Sequence, residues 1–211
     1  GKVFTREELG IIAAYAEKYD TFVIVDEVYS QIIYKPYTYT YFSELPHMHD
    51  RTICVGSLSK TYSITGWRVG YILGPEAVID EIKKVHTFFT ISAPSPLQEA
   101  TVTGLRFGGD YYDGLVKTYT EKRDILMKGL DDLGLKHNIQ GAFYLLVDIS
   151  EFGYEKDTEF CEDLVRKVGV GSVPGSTFFA EDVQKYVRLH FAVNNETLYA
   201  ALNCLESIRS K

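Results

Sequence analysis

At 211 residues, with 45% hydrophobic and 24% charged side chains, the chain can bury a core and is ordinary in composition for a globular protein. Its formal net charge of −7, with no basic stripe, argues against a nucleic-acid surface. No apolar run approaches the roughly 18 residues that cross a bilayer, and the first residues lack the apolar stretch of a signal peptide. The expectation is a cytoplasmic protein with no membrane partner.

Thr5-Arg6-Glu7-Glu8 has the form of a capping box opening a helix that carries Leu9, Ile12, Ala13, Tyr15 and Ala16. Residues 21–25 form a continuous apolar run of strand length, ending at Asp26-Glu27-Val28-Tyr29. Such a run suits a strand covered on both faces, as in a parallel sheet. A second strand, residues 51–56, ends at Ser57, and a third, residues 69–73, is stopped by Gly74 and Pro75. The helix expected over residues 76–88 carries Ile79, Ile82 and Val85 at helical spacing, which reads as core.

Pro94 and Pro96 mark a break, after which helical patterns cover residues 98–106 and, past the turn at Gly108 and Gly109, residues 111–133. From Gly134 the pattern restarts: a strand over 143–149, a helix over 158–167, and a short strand to Val173-Pro174-Gly175. A strand over 186–192 and a helix over 196–208 follow. Asn195-Glu196-Thr197 matches a glycosylation sequon, but its place at a helix entry predicts an N-cap. Strands alternating with helices predict an α/β architecture, and there is no internal repeat.

Ser57, Ser59 and Lys60, followed by Gly66-Trp67-Arg68-Val69-Gly70, are the most informative residues of the chain. A lysine among hydroxyls at a strand end can become a neutral amine when desolvated and attack a carbonyl to form a Schiff base. Arg68 offers a planar fork for a phosphate if the intervening loop folds back, and the Ser57 hydroxyl can bind the same group. Gly66 and Gly70 are expected to allow close backbone approach. A carbonyl and a phosphate on one small molecule point to pyridoxal 5'-phosphate (PLP).

Asp26 stands at the end of the expected strand, where open α/β sheets place their ligands, and the protonated nitrogen of a pyridine ring is a fitting partner for it. Without Lys60 it would read equally well as an aspartate capping a turn. Tyr29 can place its phenol beside the cofactor's 3-oxygen, although with 16 tyrosines in the chain an isolated one reads first as packing. Cys54, Cys161 and Cys204 are widely spaced, odd in number and set in apolar runs, which predicts buried thiols rather than disulfides or a zinc cluster. His47 and His49 follow Pro46 in an expected loop, and no metal is assigned to them.

Asp26-Glu27-Val28-Tyr29, Ser57-Leu58-Ser59-Lys60 and Gly66-Trp67-Arg68-Val69-Gly70 together resemble the class I/II aminotransferases of PLP fold type I. Gly141-Ala142-Phe143-Tyr144, Val173-Pro174-Gly175-Ser176 and the residues from Tyr186 to Ala192 resemble that family's small-domain signatures, in the right order. The resemblance implies an incomplete, mostly parallel large-domain sheet with helices over residues 1–93. An interdomain helical connector over 94–133 and a small α/β C-terminal domain over 134–211 would follow. It also implies roles: Lys60 holds PLP and moves the substrate proton, Asp26 pairs with the pyridinium nitrogen, and Tyr29 with the ring 3-oxygen. Ser57 and Arg68 would bind the phosphate, and Arg188 the substrate α-carboxylate.

The resemblance further implies amino-acid and 2-oxo-acid substrates and a homodimer. Several of the family's N-terminal site residues have no counterpart here, so the chain is expected to be a C-terminal fragment with little or no activity of its own. Two other readings stand beside it: a PLP-dependent cysteine-conjugate β-lyase, which would use the same Lys60, Asp26 and Arg68, and a PLP-sensing regulatory module of a transcription factor. The aromatic residues around 34–42 and 86–89 favour an apolar or aromatic amino donor.

Overall fold

A computed structural model describes residues 1–209. The chain divides into two compact units: Val3–Leu115, and Gly1–Lys2 together with the chain from Val116 onward. No helix among the described residues is long and apolar enough to cross a membrane.

In the first unit, helix α1 (Arg6–Lys18) opens on the expected capping box. Thr5 Oγ1 accepts from the Glu8 amide at 3.2 Å, and the Thr5 amide donates to Glu8 Oε2 at 2.9 Å. Ala13 and Ala16 of α1 are buried with Phe42, Leu45 and Met48, and Leu9, Val23 and Val25 pack against this cluster. The Arg51 guanidinium closes the other end of the helix, donating to the carbonyls of Ala16 at 3.3 Å and Thr21 at 3.2 Å. A cation at a helix C-terminus meets the negative end of the helix dipole.

Three strands follow in the order β1-β2-β3: β1 (Val23–Asp26), β2 (Thr52–Ser57) and β3 (Gly70–Leu73). β1 and β2 run parallel with Asp26 opposite Val55, whereas β3 returns antiparallel with Gly70 opposite Ser57. The apolar run of β1 is not covered on both faces as its sequence predicts, since Ile24 is 71% exposed. Alternate residues of a strand face opposite sides, and the α1 cluster meets only the side that carries Val23 and Val25. β3 is exposed along its whole length.

Helix α2 is the short turn Leu58–Thr61, and α3 spans Glu76–Phe89. No residue of α3 is fully buried: Ile79 and Ile82 are half-buried and Val85 is exposed, so the helix forms at the expected spacing but its apolar stripe is not core. Helix α4 (Ser95–Leu105) closes the unit, and α5 (Gly109–Asp132) runs through the division between the two.

The second unit is built on an antiparallel sheet of order β4-β5-β7-β6. Its strands are β4 (His137–Asn138), β5 (Tyr144–Asp148), β6 (Val173–Pro174) and β7 (Tyr186–His190). Leu145, Val147, Val187 and Leu189 alternate inward with period two and are buried, as are Phe160 and Leu198 of the covering helices. Helix α6 covers Asp157–Asp163 and passes into a π-helical turn, Leu164–Val168; α7 covers Asn195–Arg209. The cap of α7 is Asn194 rather than Asn195: Asn194 Oδ1 accepts from the Thr197 amide at 2.8 Å. Cys54 and Cys161 are buried thiols, and Cys204 is half-buried.

Candidate active site

Because β1 and β2 are parallel, their C-terminal ends lie side by side and deliver two loops to one place. Asp26 ends β1 and is exposed. One of its carboxyl oxygens accepts from the Val28 amide at 3.1 Å, so it does cap a turn, while the other oxygen is left for a partner. The turn is fastened by Glu27, whose amide donates to the Val55 carbonyl at 2.8 Å, and by the Ser30 amide on the Glu27 carbonyl at 3.0 Å. Tyr29 sits half-buried in it, and the fully buried Ile32 and Tyr34 anchor the chain just beyond. Tyr34 is therefore a core residue.

Ser57 ends β2 and caps α2, its Oγ accepting from the Ser59 amide at 3.2 Å. Lys60 lies in that single turn, half-buried, with Leu58, Ser59 and Thr61 buried around it. The turn is braced by aromatic residues that the sequence did not signal. Tyr111 Oη donates to the Thr61 carbonyl at 2.7 Å, and the Tyr62 and Tyr112 hydroxyls meet at 2.9 Å. Burial, followed by the Tyr112 hydrogen bond, pushes the Tyr62 phenol well above its ordinary value.

Beyond Tyr62 the chain doubles back. The Ile64 amide and the Thr65 hydroxyl both donate to the Ser59 carbonyl, at 3.0 and 3.3 Å, and the Leu58 amide donates to the Val69 carbonyl at 3.2 Å. Arg68 takes a left-handed backbone conformation (φ 55°, ψ 42°) and is exposed, with one nitrogen donating to the Thr65 carbonyl at 3.0 Å. Gly70 is needed for this closure, because a Cβ there would come within 2.6 Å of the Gly56 carbonyl oxygen. Gly66 is not: nothing lies within 4 Å of where its Cβ would be, which corrects the expectation of close approach at that position.

Ser57, Lys60 and Arg68 thus share one connection, and Asp26 and Tyr29 stand at the end of the neighbouring strand. Behind Asp26 is a group whose chemistry the sequence did not reveal. Glu27 is buried with Oε1 lacking a hydrogen-bond partner among the described residues. Burial raises its pKa above the usual carboxylate range; a Cys54 hydrogen bond opposes the shift, and the Glu44 charge adds to it.

Arg188 belongs to the second unit and is described there. It lies in β7 with Leu146 of β5 opposite it on one side and Val173 of β6 on the other. Its guanidinium carbon is 4.4 Å from the ring centroid of Tyr144, on β5, and 4.4 Å from that of Phe178, in the turn after β6. Such stacking holds a guanidinium by its faces and leaves the N–H edge available. Among the described residues no carboxylate forms an ion pair with it.

The profile of the family described as "Aminotransferase class I and II" matches residues 1–205. The methionine aminotransferase of Escherichia coli (strain K12) is 37% identical over 192 residues, which are 90% of this chain and 50% of that protein. Kynurenine–oxoglutarate transaminase 1 of Rattus norvegicus is 33% identical over 223 residues, covering 95% of this chain and 53% of that protein. Among solved structures, an aspartate aminotransferase from Thermotoga maritima superposes with a TM-score of 0.90 at 31% identity, over 100% of this chain and 54% of that one. N-succinyldiaminopimelate aminotransferase from Mycobacterium tuberculosis gives a TM-score of 0.94 at 28% identity, over 98% and 55% respectively. The chain spans about half the length of the relatives it matches.

Proposed function

Because the chain belongs to the class I and II aminotransferases, we propose that the protein transfers an amino group from an amino acid to a 2-oxo acid with PLP as cofactor. The observation that carries this reading is the fold-back joining β2 to β3. It brings a lysine, a hydroxyl and a guanidinium to one strand end, beside a carboxylate at the end of the adjacent parallel strand. An amine for a carbonyl, a hydroxyl and a fork for a phosphate, and an anion for a protonated ring nitrogen are the donor set that PLP requires. The residues present fit the group.

When bound, PLP supplies an electron-poor ring that takes up the charge left as a bond to the substrate α-carbon breaks. The chain's own residues do the rest. Lys60 would hold the cofactor's carbonyl carbon through Nζ and, when its amine is free, would carry the proton from the substrate α-carbon to the cofactor carbon that bears the nitrogen, as general base and then acid. Asp26 would pair with the protonated ring nitrogen, and the Tyr29 phenol would sit by the ring 3-oxygen. Ser57 and Arg68 secure the phosphate, with Arg68 offering a planar pair of donors. Arg188 takes the substrate α-carboxylate on its N–H edge, bidentately. Acting as a homodimer is part of the same reading, in keeping with the family.

The test is product identity in the full-length protein. Amino transfer predicts stoichiometric appearance of a new amino acid from the added 2-oxo acid, with no turnover when the oxo acid is withheld. Release of ammonia and pyruvate from a cysteine conjugate, independent of added oxo acid, would instead identify a lyase.

A further inference from the structure

A side chain outside this donor set is buried more completely than any member of it. Asp157, the first residue of α6, is 0% exposed. Both of its carboxyl oxygens accept from one residue, Ser176: Oδ2 from the Ser176 amide at 2.6 Å and Oδ1 from the Ser176 hydroxyl at 2.9 Å. Its own amide donates to Gln184 Oε1 at 3.4 Å. Burying a carboxyl group is costly, and a buried polar contact is weak grounds for stability alone when an apolar contact of the same shape could replace it. What this one supplies is directional: two acceptors in one plane fix both the position and the rotation of Ser176.

Ser176 lies in the 3-10 turn Gly175–Phe178, and two residues on is Phe178, whose ring centroid is 4.4 Å from the Arg188 guanidinium carbon. The rest of that turn is pinned as well. Thr177 Oγ1 donates to the Pro174 carbonyl at 2.8 Å, and a Cβ on Gly175 would come within 2.5 Å of the Tyr186 carbonyl oxygen. Phe179 stacks on Tyr186 with ring centroids 5.9 Å apart. The ring on the other flank of β7, Tyr144, is fixed by the β5–β7 ladder itself. Phe178 is carried by a turn instead, so its placement depends on what holds the turn.

We propose that Asp157 is a positioning residue for recognition of the substrate carboxylate, holding Ser176 so that Phe178 and Tyr144 fix the plane of the Arg188 guanidinium. This rests on the reading of Arg188 given under Proposed function. An arginine has many rotamers, and bidentate binding of a carboxylate needs one of them. Losing the clamp leaves the charge in place but releases its orientation. Binding of the α-carboxylate then weakens, while groups that do not touch that carboxylate are unaffected.

The experiment compares, in the full-length PLP-loaded protein, an amino acid that turns over with the amine that lacks only its carboxyl group (2-phenylethylamine for a phenylalanine donor). Asp157→Asn presents an NH2 to one of the two Ser176 donors. It is expected to lower the ratio of kcat/KM for the amino acid to that for the amine by about tenfold, mostly through KM, the factor that ~1.4 kcal/mol represents. It should also weaken binding of 3-phenylpropanoate, followed by calorimetry, by a similar factor. A merely structural role slows both substrates together and leaves the ratio unchanged, which would overturn the proposal. Should Asp157→Asn fail to fold, Ser176→Ala and Phe178→Leu carry the same comparison, with the same ratio change expected and an unchanged ratio again overturning it. Arg188→Ala separates the two readings. If it leaves the ratio unchanged, the role of Arg188 is wrong; if it collapses the ratio while Asp157→Asn does not, only the role of Asp157 is.

Discussion

Ser57, the last residue of β2, is the register partner of Gly70, the first residue of β3. The connection between them, carrying Lys60 and Arg68, is therefore a closed loop standing on one rung of the sheet. That relationship places a lysine and an arginine that are eight residues apart in sequence at one strand end, and it makes the loop sensitive to what happens at its base.

Gly70→Ala tests that base. The new methyl group would meet a backbone carbonyl rather than a flexible side chain, so the ladder must open. The expected loss is about 1–3 kcal/mol of stability, as for other overpacked positions, together with weaker retention of PLP. Gly66→Ala, where nothing lies within 4 Å, is the matched control and should leave the melting temperature and the cofactor occupancy close to those of the parent.

Arg188→Lys keeps the positive charge and loses the planar fork. Replacing a paired, charge-assisted contact by a point charge should raise KM for the amino acid roughly 10- to 100-fold, the range of hydrogen bonds to charged groups. The effect on kcat should be smaller, and steady-state kinetics with a single amino donor reads both.

Glu27 predicts a pH dependence of stability. Burial raises its pKa above 4.5 in the folded protein, so the native state holds its proton more tightly than the unfolded chain does. Its contribution is fully present below pH 4.5 and is lost as pH rises through the raised value. Glu27→Gln, which is neutral throughout, should be more stable than the parent at pH 7 and nearly equal to it at pH 4. Denaturant titrations at the two pH values give both differences; a parent protein that gained stability over the Gln variant on going to pH 7 would refute the assignment.

Removing the α1 cap with Thr5→Ala takes away one half of the capping box. A loss of about 1 kcal/mol is expected, seen as a lower melting temperature with unchanged kcat.

The sequence made some of this legible for physical reasons. Local signals carried through: the Thr5 capping box, the helix over α3, and the glycine at position 70 are each readable from a few neighbouring residues. Ser57, Lys60 and Arg68 share one connection between β2 and β3, and its folding back, which the sequence leaves as a condition, is seen in the Leu58 amide on the Val69 carbonyl. What failed was the inference from apolar pattern to burial. Ile24 lies in a continuous apolar run and Ile79, Ile82 and Val85 at helical spacing, but such a pattern says which residues are apolar and not what covers them. Asp157 was missed because its partner, Ser176, is distant in sequence and no motif links a helix's first residue to a turn. The aromatic brace on Thr61 and the unpaired oxygen of Glu27 are likewise products of packing, with no local pattern to announce them.

On the proposed function, Lys60 is the residue that joins the cofactor. Incubating the full-length protein with PLP, reducing with borohydride and mapping peptides by mass tests it directly. A single stoichiometric pyridoxyl adduct on Lys60 is expected, with loss of both adduct and amino transfer in Lys60→Ala. An adduct on another lysine with Lys60 unmodified, or a Lys60→Ala variant that still transfers amino groups at a near-normal rate, would contradict it.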